Sequence, residues 1–250
     1  MMICGKVGEG NDSIHFRHEH KYVMPDIDLI ATQHRLCAIM DEDSHAVNGT
    51  YSIRSLYFDD HKDRFLNENI DGVDDRTKWR IRIYDRRSDF ISLERKIRKS
   101  DLISKQSCEI DIDTFRSIMN RQISVVNGNA SLLNEFIGEM KMKALHPAII
   151  IEYERTPLVC KAGNTRVTFD RCIRSSSELD GFLSERHLAS RPVLMSGQSL
   201  LEVKYDEFLP DHVAHTIGNG CMRRETFSKY YLARKFTYDG LTKAVIRRIQ

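Results

Sequence analysis

The sequence predicts an α+β fold that is mainly antiparallel β: a closed tunnel barrel with a charged lumen and helices around its outside. Many strand-like segments of similar length follow one another, and helical patterns occur in only a few connections. Several strands alternate apolar and charged residues, so each has one face of each kind. A solvated sheet face is the alternative, but charges of both signs recur on almost every strand, which favours an enclosed lumen.

The composition is that of an ordinary globular protein with many charges. The chain has 250 residues, of which 41% are hydrophobic and 30% are charged, so it can bury a sizeable core. Its formal net charge is only +2, whereas general nucleic-acid binders usually carry a larger basic surplus. We therefore expect no nucleic-acid partner, and any basic site must be local.

No run approaches the roughly 20 apolar residues that a membrane helix needs. The first residues, MMICGKVGEGNDS, lack the long apolar stretch of a signal peptide, so we expect a cytoplasmic location. The six cysteines are scattered without a C-x-x-C pair, which argues against a disulfide framework or a zinc knuckle.

The first half of the chain is expected to begin with a disordered tail over residues 1–13. The stretch FRHEHKYVM then alternates like a strand. Pro25 and Asp26 open an apolar pattern at helical spacing, which predicts a helix over Ile27–Met40. Strands are predicted next at Tyr51–Asp59, Lys78–Arg86, Phe90–Arg98 and Ile103–Ile110.

Helical patterns open the second half, at Asp113–Asn120 and Ser131–Lys143, and a last helix is expected at about Phe227–Phe236. Between them, strands are predicted at Ala148–Leu158, Thr165–Arg174 and Ser199–Asp206. We find no repeat and no low-complexity linker, so a single tunnel domain over residues 14–238 is the simplest organisation. A basic tail over residues 239–250 would follow it.

Residues 77–87, TKWRIRIYDRR, illustrate the alternation. Trp79 and the two isoleucines would pack outward under helices, whereas Arg80 and Arg82 would face the lumen. Arg86 and the arginine after it would lie in a solvated turn.

The charged faces of three further strands carry both signs of charge. A lumen lined in this way would need bound anions, because closely packed cations repel one another strongly at low effective dielectric. The residues on these faces are Glu94, Lys96 and Arg98; Arg166, Thr168 and Asp170; and Glu202, Lys204 and Asp206.

Eight short motifs follow one another along the chain: the E-x-K-Y element of FRHEHKY, SLYFDD, the R-x-R of KWRIRIYD, LERK, IEYERTPLV, TRVTFD, LLEVKYD and FSKYYLA. Together they resemble the VTC domain, the polyphosphate polymerase module of the vacuolar transporter chaperone complex, in its bacterial stand-alone form. That domain belongs with the triphosphate tunnel metalloenzymes, which are related to CYTH-type triphosphatases. The resemblance runs from about Phe16 to Phe236.

The resemblance implies a tunnel that binds ATP by its phosphates, transfers the γ-phosphoryl group to a growing polyphosphate chain and releases ADP. It implies a divalent ion, Mn²⁺ or Mg²⁺, because oxygen-only ligands suit hard cations. The implied partners are ATP and polyphosphate or orthophosphate, and a separate membrane protein is left open.

By matching positions, the resemblance implies twelve site residues. Those implied as catalytic phosphate ligands are Lys21, Arg80, Arg82, Lys96, Arg155 and Arg166. Further phosphate-binding residues are Lys105, Tyr153, Ser228 and Lys229, and the metal ligands are Glu202 and Glu19. Glu19 and Glu94 have the alternative of pairing with nearby lysines, and Glu202 has that of pairing with Lys204.

Two alternatives to polymerisation stay open. The same tunnel could use water as the nucleophile and act as a tripolyphosphatase or nucleoside triphosphatase, or it could bind polyphosphate without turnover. One departure bears on the choice: Thr226 stands where the family pattern often has a basic residue, three positions before Lys229.

Overall fold

The computed structural model describes residues 15–44, 46, 49–125, 131–218 and 226–235. Both predicted tails lie outside these residues. The strands are β1 (Arg17–Pro25), β2 (Asp41–Glu42), β3 (Tyr51–Asp59), β4 (Arg76–Tyr84), β5 (Arg87–Lys99), β6 (Leu102–Ile110), β7 (His146–Cys160), β8 (Thr165–Ser176), β9 (Arg191–Pro192) and β10 (Gln198–Tyr205). The helices are α1 (Asp26–Cys37), α2 (Arg64–Ile70), α3 (Ile112–Met119), α4 (Ser131–Lys143), α5 (Asp211–Ile217) and α6 (229–235).

Eight of the strands close a barrel. Their order is β7–β3–β4–β5–β6–β1–β10–β8, and β8 pairs back onto β7. All neighbouring strands of this ring are antiparallel. Short strands β2 and β9 extend β7 and β8 outside the ring. Closure pairs the strand edges with one another, and it confirms the predicted antiparallel tunnel barrel with peripheral helices.

The larger hydrophobic core lies between the barrel wall and α3, α4 and α6. Trp79 of β4 is fully buried, and its ring centroid lies 5.2 Å from that of Phe136 of α4. Phe58 of β3 packs against the same ring at 5.0 Å. The apolar face of β4 therefore points outward under a helix, as predicted, and its arginine face points into the barrel.

A second core lies on another side of the barrel, under α1 and α5. Leu29 and Leu36 of α1 pack there with Val213 and Ile217 of α5. The outward residues of β8 and β10, which are Val167, Phe169, Leu201 and Val203, cover the barrel side of this core. Both helices thus shield the apolar faces of strands whose other faces line the lumen.

Asp59, at the end of β3, joins three elements. Its buried carboxylate accepts hydrogen bonds from the backbone N–H groups of Phe65 (2.9 Å) and Leu66 (3.2 Å) in α2. It also accepts a hydrogen bond from the Tyr230 hydroxyl of α6. Burial raises the pKa of Tyr230 most, and the negative charge of Asp59 raises it further. One side chain therefore fixes two helices against the barrel wall.

The sequence prediction missed α2, α5, β2 and β9, each seven residues long or shorter. Elements of this length are too short to show a clear period, and α2 depends on Asp59, which precedes it by five residues. Arg86 lies in the turn between β4 and β5, as predicted, but it is not simply solvated. Its Nη2 atom lies 2.6 Å from the Glu152 carboxylate, so it is ion-paired.

We expect Phe136→Ala to destabilise the fold by about 3–5 kcal/mol, because it removes a fully buried ring at the meeting point of α4, β3 and β4. Chemical denaturation would measure the change. Met142→Ala is the matched control on the same helix, because Met142 is 79% exposed and should cost no more than about 0.5 kcal/mol. Equal losses for the two variants would contradict the described packing of α4.

Candidate functional site: a cation-lined barrel lumen

The barrel encloses a cavity of about 470 Å³. All eight barrel strands contribute side chains to it, together with Asn69 of α2 and residues 226–230. Among the described lining residues there are thirteen lysines and arginines but only three carboxylates. The lumen is therefore strongly cationic although the whole chain is almost neutral.

All twelve residues predicted from the sequence line this cavity. Strand alternation explains the shared location, because successive lumen-facing residues are two positions apart along each strand. Their roles as ligands of phosphate or metal stay predictions. They are Glu19, Lys21, Arg80, Arg82, Lys96, Lys105, Tyr153, Arg155, Arg166, Glu202, Ser228 and Lys229.

Glu94 is the anionic centre of one charge cluster. It accepts hydrogen bonds from Arg80 Nε at 2.7 Å and from Lys105 Nζ at 3.2 Å, and Arg82 Nη1 lies 3.7 Å away. Burial would raise the pKa of Glu94, but these three cations lower it below its ordinary value. Glu94 therefore pairs with a lysine, as the sequence allowed, and also with two arginines.

Glu19 and Glu202 form a second cluster with Lys21 and Lys204. Lys21 Nζ lies 2.8 Å from Glu19 and 3.7 Å from Glu202. Lys204 Nζ lies 2.7 Å from Glu202 and 3.7 Å from Glu19. Lys96 Nζ adds a 2.8 Å contact to Glu19. Each carboxylate thus touches at least two ammonium groups.

The pKa values of both carboxylates follow from this arrangement. Burial is the largest influence on each and would raise its pKa, and Glu202 adds to that effect on Glu19. The surrounding lysines outweigh it, so both pKa values lie below the ordinary range of a glutamate. Both groups stay ionised at neutral pH.

Asp170 of β8 organises a third cluster. Arg155 donates to it from Nε (2.6 Å) and from Nη2 (2.7 Å), and Lys229 Nζ donates to it at 2.6 Å. The Tyr153 ring lies beside both cations, 5.2 Å from the Arg155 guanidinium carbon and 4.6 Å from Lys229 Nζ. Two of the three guanidinium nitrogens of Arg155 are therefore held by Asp170 before any ligand binds.

Arg166 lies apart from these three clusters. Its Nη2 atom lies 2.7 Å from the Asp43 carboxylate and donates to the Tyr51 hydroxyl at 3.1 Å. The Tyr51 ring contacts Tyr84, with ring centroids 5.8 Å apart, and both tyrosines line the cavity. This side of the lumen is thus aromatic as well as cationic.

Residues 226–230, which lead into α6, line the lumen. Lys21 Nζ donates to the Phe227 carbonyl at 3.1 Å. Ser228 Oγ accepts from the backbone N–H of Tyr231 at 3.2 Å and lies 3.2 Å from Lys78 Nζ. Thr226 also lines the cavity, so the position that the family pattern often fills with a basic residue is uncharged here.

No group of three or more His, Cys, Asp or Glu side chains within the described ranges is arranged to hold a metal ion. Glu19 and Glu202 nevertheless fit a hard cation, because both are ionised oxygen donors. They also lie near each other, since Glu202 is the cross-strand partner of Lys21, which is two residues from Glu19 on the same strand. Mg²⁺ commonly binds through one or two carboxylates plus substrate phosphates and water. These two residues could therefore hold such an ion when a phosphate supplies further ligands.

Sequence reasoning missed several cavity residues. Lys78 stands two positions before Arg80 on the same strand face, so the alternation could have identified it. Lys204 was predicted on a lumen-facing strand face, and it does line the lumen, but it was given no role as a ligand. The two tyrosines that contact lumen arginines, Tyr51 and Tyr57, carried no charge signal that could have singled them out.

Comparison with solved structures shows a shared fold. HpAC1 from Hippeastrum, for which a dominant triphosphatase activity is described, gives a TM-score of 0.52 at 12% identity over 88% of this chain and 95% of that chain. A protein from Bacillus halodurans gives 0.47 at 11% identity over 81% and 86%. The PH1819 protein from Pyrococcus horikoshii gives 0.45 at 10% identity over 88% and 98%.

Comparison with curated proteins gives no match. The sequence model of the VTC domain family, in contrast, matches residues 16–238. Within the described part of the chain, no helix is long and apolar enough to span a membrane.

The lowered pKa of Glu94 predicts a loss of stability in acid. As pH falls below about 4.5, the unfolded state takes up this proton before the folded state does, which shifts the equilibrium toward unfolding. We expect the melting temperature of the wild type to fall more steeply between pH 5 and pH 3 than that of Glu94→Gln. Equal slopes in thermal melts would show that Glu94 is not held ionised by its cations.

Proposed function

The chain belongs to the VTC domain family, and from this premise we propose that it is a metal-dependent polyphosphate polymerase. It would transfer the γ-phosphoryl group of ATP to a growing polyphosphate chain and release ADP. The family and the tunnel fold support the coarser statement, a tunnel enzyme that acts on triphosphate or polyphosphate. The choice of polymerisation rests on the lumen.

The observation that carries the proposal is the enclosed excess of cations. Thirteen basic side chains line the lumen with three carboxylates in its described part. Two further buried carboxylates, Glu94 and Asp170, contact these cations from behind, and the cations still outnumber all five carboxylates. Such an excess is costly unless an anion enters, because like charges repel strongly in a partly desolvated site. A chain of phosphates supplies one negative charge after another, and arginine forks bind phosphate oxygens in pairs.

The carboxylates that contact the lumen cations favour transfer to phosphate rather than to water. Glu19, Glu94, Asp170 and Glu202 all have lowered pKa values despite their burial, because cations surround each of them. They are therefore weak bases for activating water. The terminal oxygen of a polyphosphate chain is already ionised at neutral pH, so its attack on phosphorus needs no base.

In the proposed step, a terminal chain oxygen attacks the γ-phosphorus of ATP. The bond from that phosphorus to the β–γ bridging oxygen breaks, and ADP leaves with the electron pair. The protein would position both phosphates in line and cancel the charge on their oxygens. The residues proposed to do so are Lys21, Arg80, Arg82, Lys96, Arg155 and Arg166, with Lys105, Tyr153, Ser228 and Lys229 as further phosphate-binding groups.

Glu19 and Glu202 would hold the Mn²⁺ or Mg²⁺. When bound, that ion would withdraw negative charge from the phosphate oxygens. In the protein without the ion, Lys21 and Lys204 contact these two carboxylates and keep them ionised and oriented.

Hydrolysis is the second candidate function, and one observation favours it. Burial and neighbouring cations lower the pKa of Lys78 to about 7. Burial also lowers the pKa of Lys96 to about 7, although Glu19 opposes the shift. A lysine that is partly neutral at pH 7 can accept a proton from water, and the related fold of HpAC1 is described with triphosphatase activity.

Incubation with ATP and Mn²⁺ or Mg²⁺ tests the proposal. We expect a phosphate polymer on a gel, ADP in the same molar amount as polymerised phosphate, and loss of both when the metal is chelated. Orthophosphate released in step with ADP, without polymer, would replace polymerisation by hydrolysis. Polyphosphate binding without any turnover would make the chain a binding module.

Arg80→Ala combined with Arg82→Ala should weaken tripolyphosphate binding by at least roughly 100-fold, because two charge-assisted contacts are lost. Isothermal titration calorimetry would measure the affinity, and circular dichroism would check the fold. Arg87→Ala combined with Arg116→Ala is the matched control, because these two arginine side chains are 71% and 64% exposed. Unchanged binding by the lumen double variant would mean that phosphate binds elsewhere.

A further inference from the structure

Three lysines stand in a row across the wall formed by β4, β5 and β6. Lys78 lies directly opposite Lys96, and Lys96 lies directly opposite Lys105. One row further along, Arg76 lies directly opposite Arg98. Like charges in such cross-strand pairs destabilise a sheet, so each of these rows needs compensation by negative charge.

Among the described residues, carboxylates contact Lys96 and Lys105 but not Lys78, at the end of the lysine row. Lys96 has Glu19 at 2.8 Å, and Lys105 has Glu94 at 3.2 Å. Lys78 has no carboxylate oxygen within 4 Å among the described residues. Its Nζ atom instead donates to Asn69 Oδ1 (3.2 Å) and Ser228 Oγ (3.2 Å) and lies 5.1 Å from the ring centroid of Tyr230.

Arg76, like Lys78, has no carboxylate contact among the described residues. It is buried, its Nη1 atom donates weakly to the backbone carbonyl of Glu68 at 3.5 Å, and no carboxylate oxygen in the described structure lies within 4 Å of it. The other lumen lysines differ, because Lys21, Lys204 and Lys229 each contact a carboxylate within 3 Å. Arg76 and Lys78 are thus neighbouring cations on the lumen face of β4 that no carboxylate of the described residues contacts within 4 Å.

We propose that Arg76 and Lys78, with Asn69 and Ser228, form an anion subsite that binds the phosphates of a chain longer than a triphosphate. The subsite rests on the proposed function and deepens it, because it assigns a preference for long chains to one end of the lumen. Lys78 stands about 7 Å along β4 from Arg80, at 3.3–3.4 Å per residue. A triphosphate held by Arg80 and Arg82 would need further phosphate units to reach Arg76.

The subsite couples binding to proton uptake. Burial, Arg76, Lys96 and Lys21 lower the pKa of Lys78 to about 7, and Asp59 opposes this shift. The Tyr230 hydroxyl nearby is neutral, since its pKa is raised. Lys78 is therefore largely uncharged in the free protein at pH 8.5, and a bound phosphate would favour its protonated form. The affinity for long chains should fall as pH rises through 7.

Lys78→Met tests the subsite with two probes, tripolyphosphate and polyphosphate of about one hundred units. We expect calorimetry to show at least tenfold weaker binding of the long chain per binding site, but a change below about threefold for tripolyphosphate. Lys161→Met, at an exposed lysine outside the cavity, should change neither affinity. Equal losses for both probes would overturn the proposal.

Lys78→Arg supplies a second test that does not depend on the folding of the methionine variant. Between pH 6.5 and pH 8.5 the affinity of the wild type for the long chain should fall roughly tenfold as Lys78 loses its proton. Arginine keeps its charge at every pH tested, so Lys78→Arg should not show this decrease. An unchanged pH profile would overturn the proposal. So would a Lys78→Met variant that binds both probes normally but loses hydrolysis, because Lys78 would then act as a base. A wild type that binds neither probe would instead refute the proposed function.

Discussion

The pairing of buried cations with a few buried carboxylates is the interaction on which the lumen depends. Four carboxylates, Glu19, Glu94, Asp170 and Glu202, hold most of the basic side chains in fixed positions. Removing one partner of such a cluster leaves uncompensated charge, which typically costs about 3–5 kcal/mol. The carboxylates therefore serve to orient the cations in the free protein, and the remaining positive charge is available to a ligand.

Barrel closure makes this arrangement possible. Because every strand of the ring alternates, one set of side chains faces the outer helices and the other faces the lumen. Trp79 and Arg80 are neighbours in sequence, yet Trp79 packs against Phe136 of α4 and Arg80 binds Glu94 inside the barrel. The apolar packing that stabilises the fold is thus separate from the charges that would bind phosphate, although the same strands supply both.

The fold and many of the residues that line the lumen could be predicted from the sequence, but the pairings could not. Alternation assigned Arg80 and Arg82 to the inner face without any knowledge of their neighbours. The contact of Lys96 with Glu19 joins residues 77 positions apart, and that of Lys229 with Asp170 joins residues 59 positions apart. Such contacts depend on strand register and helix docking, which a single sequence does not reveal. For the same reason the sequence could not show that no carboxylate of the described residues lies within 4 Å of Lys78.

A crystal structure of the protein with tripolyphosphate would test most directly whether the lumen is the phosphate site. We predict phosphate oxygens inside the barrel, within hydrogen-bonding distance of the Arg80 and Arg82 guanidinium groups. The Glu94 carboxylate should still contact both arginines from behind. Tripolyphosphate bound only on the outer surface, with these arginines unchanged, would contradict the assignment of the lumen as the functional site.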